Sequence, residues 1–394
     1  MRRADAGNGK GMTRLGPALE IVKVENDAAR SAASDTPAAL LAPALAQQHP
    51  GCGAPRWERP LPGFTYAALD LGTNNCRLLI ARPAAREAVP GGFKIIDSFS
   101  RIVRLGEGLS QSGRLGEAAI ERTLDALAVC RDKMQARNVT RARLIATEAC
   151  RAAQNGAQFI AKVRNTLGLE LEIVDRETEA HLAAAGCASL ADEAAESVLL
   201  FDIGGGSSEV IWLERAERAD RTGLRDRIRF WVSLKLGVVT LAEKFGGFEV
   251  SDDVFETMVH YVTRELDGFI ARVAERGRCD RFHLLGTSGT VTTIAGIFLN
   301  LVRYDRRRVD GLWMSNEEVN QTIEKLRRMN YRERAANGCI GPERADLVLA
   351  GCAILEAIRR AFPAERVRIA DRGLREGILL QLMQADRGLG ESGL

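Results

Sequence analysis

The residues whose types and spacing could do chemistry sit in three glycine-containing turns. The most pointed is Asp202-Ile203-Gly204-Gly205-Gly206-Ser207-Ser208-Glu209, between two apolar segments. Three successive glycines carry a conformational-entropy cost that a plain turn does not require. The cost makes sense if the backbone must wrap a phosphate. Asp202 and Glu209 bracket the loop and could hold Mg²⁺ through oxygen ligands or water. The second turn is Asp70-Leu71-Gly72-Thr73-Asn74-Asn75. Its backbone N–H groups can point at an anion, and Asp70 could bind a metal ion or its water shell. Alone, it reads first as an ordinary hairpin with Asn at positive φ. The third is Gly286-Thr287-Ser288-Gly289-Thr290, between an apolar strand and a helix. Hydroxyls and free N–H groups at a helix start suit an anion, and Ser288 or Thr290 equally suits a helix cap.

Other phosphate and metal signatures are missing from the sequence. No GxxxxGK[ST] run occurs, which disfavours a P-loop nucleotide hydrolase. No GxGxxG opens a helix after a strand, and HExxH is absent.

The elements around the turns define how these residues must be positioned. Tyr66 to Leu69 reads as a buried strand and Cys76 to Ala81 as the next. Ile95 to Phe99 and Arg101 to Leu105 read as further strands. Glu117 to Arg137 has helical spacing, with Ile120, Leu124, Leu127 and Cys130 on one face. A strand at Arg143 to Ala146, a helix at Ala157 to Leu167 and a strand at Leu171 to Val174 follow. Glu177 to Leu190 is a helix with acidic residues at its start, where the dipole favours them. The opening pattern then returns as Val198 to Phe201, the triple-glycine turn, and Glu209 to Leu213. The two units lie about 130 residues apart, a domain-sized interval that suggests duplicated domains. Downstream come a strand near Phe230 to Leu234, helices at Val238 to Phe245 and Val254 to Arg276, and a strand at Phe282 to Leu285. A helix at Val291 to Leu301 and a mostly helical C-terminal part complete the α/β alternation.

Composition bounds the reading. The chain has 394 residues, 46% hydrophobic and 27% charged, enough for two domains. A net charge of +3 gives no bulk argument for nucleic acid or a membrane, so any polyanion site must be local. The eight cysteines form no CxxC pair, which speaks against zinc ribbons and for buried, reduced thiols in a cytoplasmic protein. No apolar stretch approaches the roughly 20 residues that span a bilayer. Residues 1–62, rich in Ala, Gly and Pro, read as a disordered N-terminal extension. Ala38 to Ala46, followed by Gln47, is a little like a signal-peptide cleavage region. It lies too far along the chain, and Glu20, Glu25, Asp27 and Asp35 precede it.

Three phosphate-type turns in a duplicated α/β chain resemble the actin, sugar kinase and Hsp70 superfamily. Finer detail comes from the order of Ala67 to Asn74, Arg104 to Leu109, Ala146 to Arg151 and Glu177 to Leu182. The triple-glycine motif, Gly286 to Thr290, Arg344-Ala345-Asp346 and Gly373 to Gly377 continue that order. This series resembles the exopolyphosphatase and guanosine pentaphosphate phosphohydrolase family, over about residues 64 to 385.

The resemblance implies two actin-like, ribonuclease-H-like domains of the ATPase superfamily, 64–190 and 191–386, closing on an interdomain cleft. It implies Glu179 as the catalytic base, which nothing local to its helix singles out. Arg104 and Arg151 match motif arginines and are expected at phosphate. Arg77 stands where a polar or basic residue is usual. Asp202 and Glu209 are implied at the metal, with Gly204 to Ser208 on the terminal phosphate. Departures include His181 in place of an arginine beside the base, and Arg372 where a second glycine is usual. None of the four histidines precedes an Asp, as the metal site of the longer members would need, so the chain reads as the short, two-domain form. A shorter cleft holds less of a long chain and puts processivity in doubt. The leading expectation is an Mg²⁺-dependent exopolyphosphatase acting on inorganic polyphosphate; guanosine pentaphosphate is the close alternative. An ATP-dependent kinase or chaperone and a non-catalytic polyphosphate or nucleotide sensor are the competing classes. Dimerisation is common in the resembling family, and no motif for a homodimer stands out in this chain.

Overall fold

The computed structural model describes residues 21–23, 63–84, 92–215, 227–276 and 281–391. Twelve strands occur among them. They are β1 (Ile21–Lys23), β2 (Tyr66–Leu71), β3 (Asn75–Pro83), β4 (Phe93–Ile102), β5 (Arg141–Ala146), β6 (Leu171–Ile173), β7 (Ser197–Ile203), β8 (Ser208–Glu214), β9 (Ile228–Leu234), β10 (Phe282–Thr287), β11 (Trp313–Ser315) and β12 (Arg366–Ile369). They form a five-stranded sheet, β4-β3-β2-β5-β6, and a seven-stranded sheet, β1-β9-β8-β7-β10-β12-β11.

The smaller sheet recurs inside the larger. β9-β8-β7-β10-β12 repeats the order β4-β3-β2-β5-β6, with antiparallel, antiparallel, parallel and parallel pairings in both. Each half therefore opens with a three-stranded meander and continues through helical crossovers to two parallel strands, as parallel pairing requires. This is the mixed α/β, two-domain actin-like architecture that the duplicated hairpins suggest.

Core packing explains the strand positions. β2 is buried on both faces, with Tyr66, Ala67, Ala68, Leu69 and Leu71 all inaccessible. The helix Glu117–Ala136 covers one face through Ile120, Leu124, Leu127 and Cys130. The other face is covered by the C-terminal helix Leu374–Glu391, whose Ile378, Leu379 and Met383 cluster with Tyr66, Ala68 and Leu79. That helix also lies against Arg176–Cys187 at a very close crossing. A Cβ at Gly377 would stand 2.0 Å from the Leu182 carbonyl oxygen, and one at Gly186 would overlap the Gly373 carbonyl.

The structure departs from the sequence-based reading in places. The two strands expected over 95–105 are one, β4, which ends at Ile102 and pairs along its whole length with β3 across a bulge at Ile80/Ala81. Cross-strand partners on β3, which no local window contains, decide that continuity. The expected extension, residues 1–62, lies outside the described residues except for β1, which pairs antiparallel with Phe230–Val232 of β9. β9 would otherwise be a sheet edge with open backbone groups, a template for a short β-branched run such as Ile21-Val22. No described helix is long and apolar enough to cross a membrane.

Candidate active site

The β2–β3 and β7–β8 turns are built alike. Gly72 N–H donates to the Asn75 carbonyl at 2.9 Å, and Gly204 N–H to the Ser207 carbonyl at 3.0 Å. In each turn the outward carbonyls are taken by a neighbouring segment. Val103 and Arg104 N–H donate to Asn74 O at 2.9 and 3.1 Å, and Gly106 N–H to Thr73 O at 2.9 Å. Val238 and Val239, opening the helix Val238–Phe245, donate to Gly204 O and Gly205 O at 3.0 and 2.9 Å. Among the described residues none accepts from the amides of Thr73, Asn74, Gly205, Gly206 or Ser207. These residues line one cavity, so oriented free donors converge there, a setting for an oxyanion.

The turns touch each other. A Cβ at Gly205 would lie 3.0 Å from Thr73 Cβ and 3.1 Å from Asn74 N. One at Gly206 would lie 2.6 Å from Thr73 Oγ1 and 3.2 Å from Glu148 Cγ. None of Gly72, Gly204, Gly205 and Gly206 has positive φ, and neither does Asn74 or Asn75. Gly205 and Gly206 therefore allow close approach between the halves of the molecule, and the hairpin reading of the Asp70 to Asn75 turn with Asn at positive φ is corrected.

Carboxylates gather at the same place. Strand register sets Asp70 opposite Arg77 in one hairpin and Asp202 opposite Glu209 in the other. All four line the cavity with Glu179. Burial pushes Asp202 up to about 6, with repulsion from Asp70 adding. Burial and then Asp202 push Glu209 up to about 7, against hydrogen bonds from Ser233 and Ser207. Asp70 is raised by burial, against the pull of Arg77 and Arg375. Glu179 is raised well above the usual carboxylate range by burial, then by Glu209, with Arg151 pulling it down. Each of these acids thus feels another, and burial together with mutual repulsion makes each hold its proton to higher pH than an exposed carboxylate.

The predicted arginines do not behave alike. Arg151 is bound to carboxylates, with Nη2 2.7 Å from Glu148 Oε2 and 3.0 Å from Glu179 Oε2, and Nη1 2.6 Å from Val174 O. It holds the glutamates instead of lining the cavity. Arg104, at φ 47°, turns its guanidinium to Asp346 Oδ1 and Glu343 O, each at 2.8 Å, across to the other half. Its segment serves the site through the backbone bonds to Thr73 and Asn74. Arg77 lines the cavity, as does Arg375, which forms no hydrogen bond or ion pair with another described residue. Glu376 beside it is already taken, accepting from Arg306 Nη2 at 2.7 Å and Gly373 N at 2.9 Å. Arg375, Asp371 and Glu148 are among the lining residues for which sequence reasoning assigned no role. Arg375 stands within the Gly373 to Gly377 motif, the one signal that could have found it.

The remaining positions divide. Thr287 and Ser288 line the cavity; Gly286 does not, and a Cβ there would meet the Phe201 ring at 2.6 Å. Ser288 sits at φ 82°, ψ −177°, a region almost reserved for glycine, at the start of the helix Gly289–Phe298. Its side chain does not cap the helix, and it lowers the pKa of Asp202 against burial. Ser208 is fully buried, donating to Leu236 O at 2.9 Å, while Ser207 faces the cavity. His181 is buried with Nδ1 2.8 Å from Glu177 O on its own helix, a packing role. Arg372 is paired with Asp310, Nε to Oδ2 at 3.0 Å, at the cavity's rim.

Duplicated ribonuclease-H-like sheets closing two amide-lined turns over a cluster of acids define an actin-like phosphate-handling protein. The model of the Ppx/GppA phosphatase family matches residues 84–386, and the chain belongs to that family. It is 27% identical over 327 residues to "Exopolyphosphatase 2" of Mycobacterium tuberculosis, covering 80% of this chain and 98% of that protein. It is 29% identical over 332 residues to "Guanosine-5'-triphosphate,3'-diphosphate pyrophosphatase" of Photobacterium profundum, covering 82% of this chain but only 60% of that one. Among solved structures, the Aquifex aeolicus member of the family superposes with a TM-score of 0.65 at 26% identity, covering 82% of this chain and 98% of that one.

Proposed function

We propose that the chain hydrolyses terminal phosphoanhydride bonds, releasing orthophosphate from inorganic polyphosphate. The observation that carries this reading is the pair of facing turns whose carbonyls are occupied and whose amides are free, with Glu179 held beside them. Phosphoryl transfer to water asks the protein for positioning and charge stabilisation more than covalent work. The free amides of Thr73, Asn74, Gly205, Gly206 and Ser207, with Arg77 and Arg375, bind the terminal phosphate. Glu179 orients a water and takes its proton as the water oxygen bonds to phosphorus. The bridging P–O bond breaks, and its electron pair leaves on the shortened chain. Burial makes Glu179 a stronger base than an exposed glutamate, and Arg151 keeps enough of it ionised to act.

The residues fit a divalent cation. Asp202 and Glu209 are buried oxygen donors that repel each other and Asp70, a repulsion that a cation relieves. Among the described residues no three His, Cys, Asp or Glu groups are arranged to hold an ion unaided. That suits Mg²⁺, which keeps several waters and binds through one or two carboxylates together with substrate phosphates. When bound, Mg²⁺ neutralises charge that builds on the phosphoryl oxygens.

Relatives of both names fit the chain at similar identity, so guanosine pentaphosphate is the second substrate to be tested. Orthophosphate release from polyphosphate and from guanosine pentaphosphate, each with Mg²⁺ and with chelator, decides. The reading expects Mg²⁺-dependent release with the higher kcat/KM on polyphosphate. A clear preference for the nucleotide overturns the substrate, and no release from either overturns hydrolysis.

A further inference from the structure

We propose that a second cavity, behind Gly206, binds the orthophosphate product and lets it leave while the shortened chain stays in place. This rests on the hydrolase reading above. The central cavity holds about 90 Å³ of free space. It continues on one side into a small cavity that shares Asn74, Arg77, Gly205 and Ser288 with it and adds Arg344. On the other side Thr73, Glu148 and Gly206 are shared with a cavity of about 450 Å³. That larger space lies in the seam between the halves, with Ser110 on one wall and Lys235, Glu243, Lys244 and Tyr261 on the other.

Its free charge is positive. Glu243 is occupied, accepting from Gly108 N at 2.8 Å and from Ser110 Oγ. Glu148 is neutralised by Arg151 and Arg176, at 2.7 and 3.0 Å. Lys244 stands 4.7 Å over the Tyr261 ring, a contact that leaves its N–H donors available. Lys235 is exposed and makes no ion pair with a described residue. Two ammonium groups against the single unpaired carboxylate of Glu243, whose oxygens are already held by Gly108 and Ser110, leave the space net positive, a setting for a small phosphate anion.

In-line displacement gives the direction. The attacking water and the leaving oxygen lie on opposite sides of the phosphorus. Arg151 binds both Glu179 and Glu148, so the base and the water it orients stand on the Glu148 side. The new P–O bond points that way, toward the larger cavity. The leaving oxygen, with the rest of the chain, points to Arg77 and Arg344. The product thus forms at the mouth of a space the chain does not fill, and it departs without passing the chain.

The test is equilibrium binding of radiolabelled orthophosphate to the full chain, beside KM and phosphate inhibition of turnover, for wild type, K235Q/K244Q and K235R/K244R. The expected result is phosphate binding and inhibition at least about tenfold weaker in K235Q/K244Q, retained in K235R/K244R, with the polyphosphate KM unchanged. Unaltered phosphate affinity in K235Q/K244Q overturns the exit site. So does a KM that rises in parallel, because the cavity then holds the chain. Binding needs no turnover: a wild type that releases phosphate while K235Q/K244Q binds it normally overturns the exit site alone. A wild type that releases none from either substrate overturns the hydrolase reading.

Discussion

Arg151 Nη2 stands 3.0 Å from the carboxylate of Glu179 and 2.7 Å from that of Glu148, so one guanidinium holds two buried acids. It favours the charged form of Glu179 against burial and against Glu209. Replacing Arg151 with Gln removes that influence, so the Glu179 proton is held to higher pH. The acidic limb of the kcat profile, where the base gains its proton, therefore moves to higher pH in R151Q. Profiles of kcat against pH for the two proteins check this; a limb that stays or moves down contradicts it.

Gly206 and Thr73 belong to different halves, and a Cβ at Gly206 would lie 2.6 Å from Thr73 Oγ1. G206A forces the turns apart. Overpacking of this kind costs about 1–3 kcal/mol, and activity falls because the amides no longer converge. Adding T73A removes the opposing hydroxyl and methyl, so the double variant recovers stability that G206A alone loses. Denaturant midpoints for the single and double variants measure the coupling; strict additivity contradicts the contact.

Ser288 lies in backbone space almost reserved for glycine, a strain worth about 1–3 kcal/mol. S288G relieves it, so Tm rises. S288A removes the hydroxyl and keeps the strain, so Tm does not rise. Thermal unfolding of both variants separates backbone strain from the hydroxyl.

Asp97 tests the electrostatics away from the site. Lys133 and Arg137, at 2.8 and 2.9 Å, hold its pKa down to about 2. A folded pKa below the unfolded value of about 3.9 gives stability that is complete above the unfolded pKa. It is lost as pH falls through the window toward 2. D97N therefore lowers stability at neutral pH, by at most about 1 kcal/mol for a pair at the surface, and the difference from wild type closes between about pH 4 and 2. Urea midpoints across that range read it directly.

The two hairpin turns were legible in the sequence because each is a short run of small and acidic residues between apolar strands. Continuous apolar runs likewise located β7 and β8, and the helix Val238–Phe245 was read after them. The contact between the turns was not legible. The crowding at Gly205 and Gly206 comes from Thr73 and Asn74, about 130 residues away. The same distance hides the partners of Arg104 and Arg151: a guanidinium declares its charge in sequence, not whether Asp346, Glu148 or a phosphate receives it. Arg375 escaped notice because its helix reaches the site only by packing back on β2. Glu179 could be singled out through family resemblance alone, since its helix shows an ordinary acidic first turn.

The most direct measurement is orthophosphate release from polyphosphate by E179Q at saturating substrate and Mg²⁺. Gln keeps the shape and one acceptor but cannot take the water's proton. The account predicts kcat lower by at least about 10²-fold, with the polyphosphate KM close to that of the wild type. Release at the wild-type rate would contradict it and remove Glu179 from the role of base.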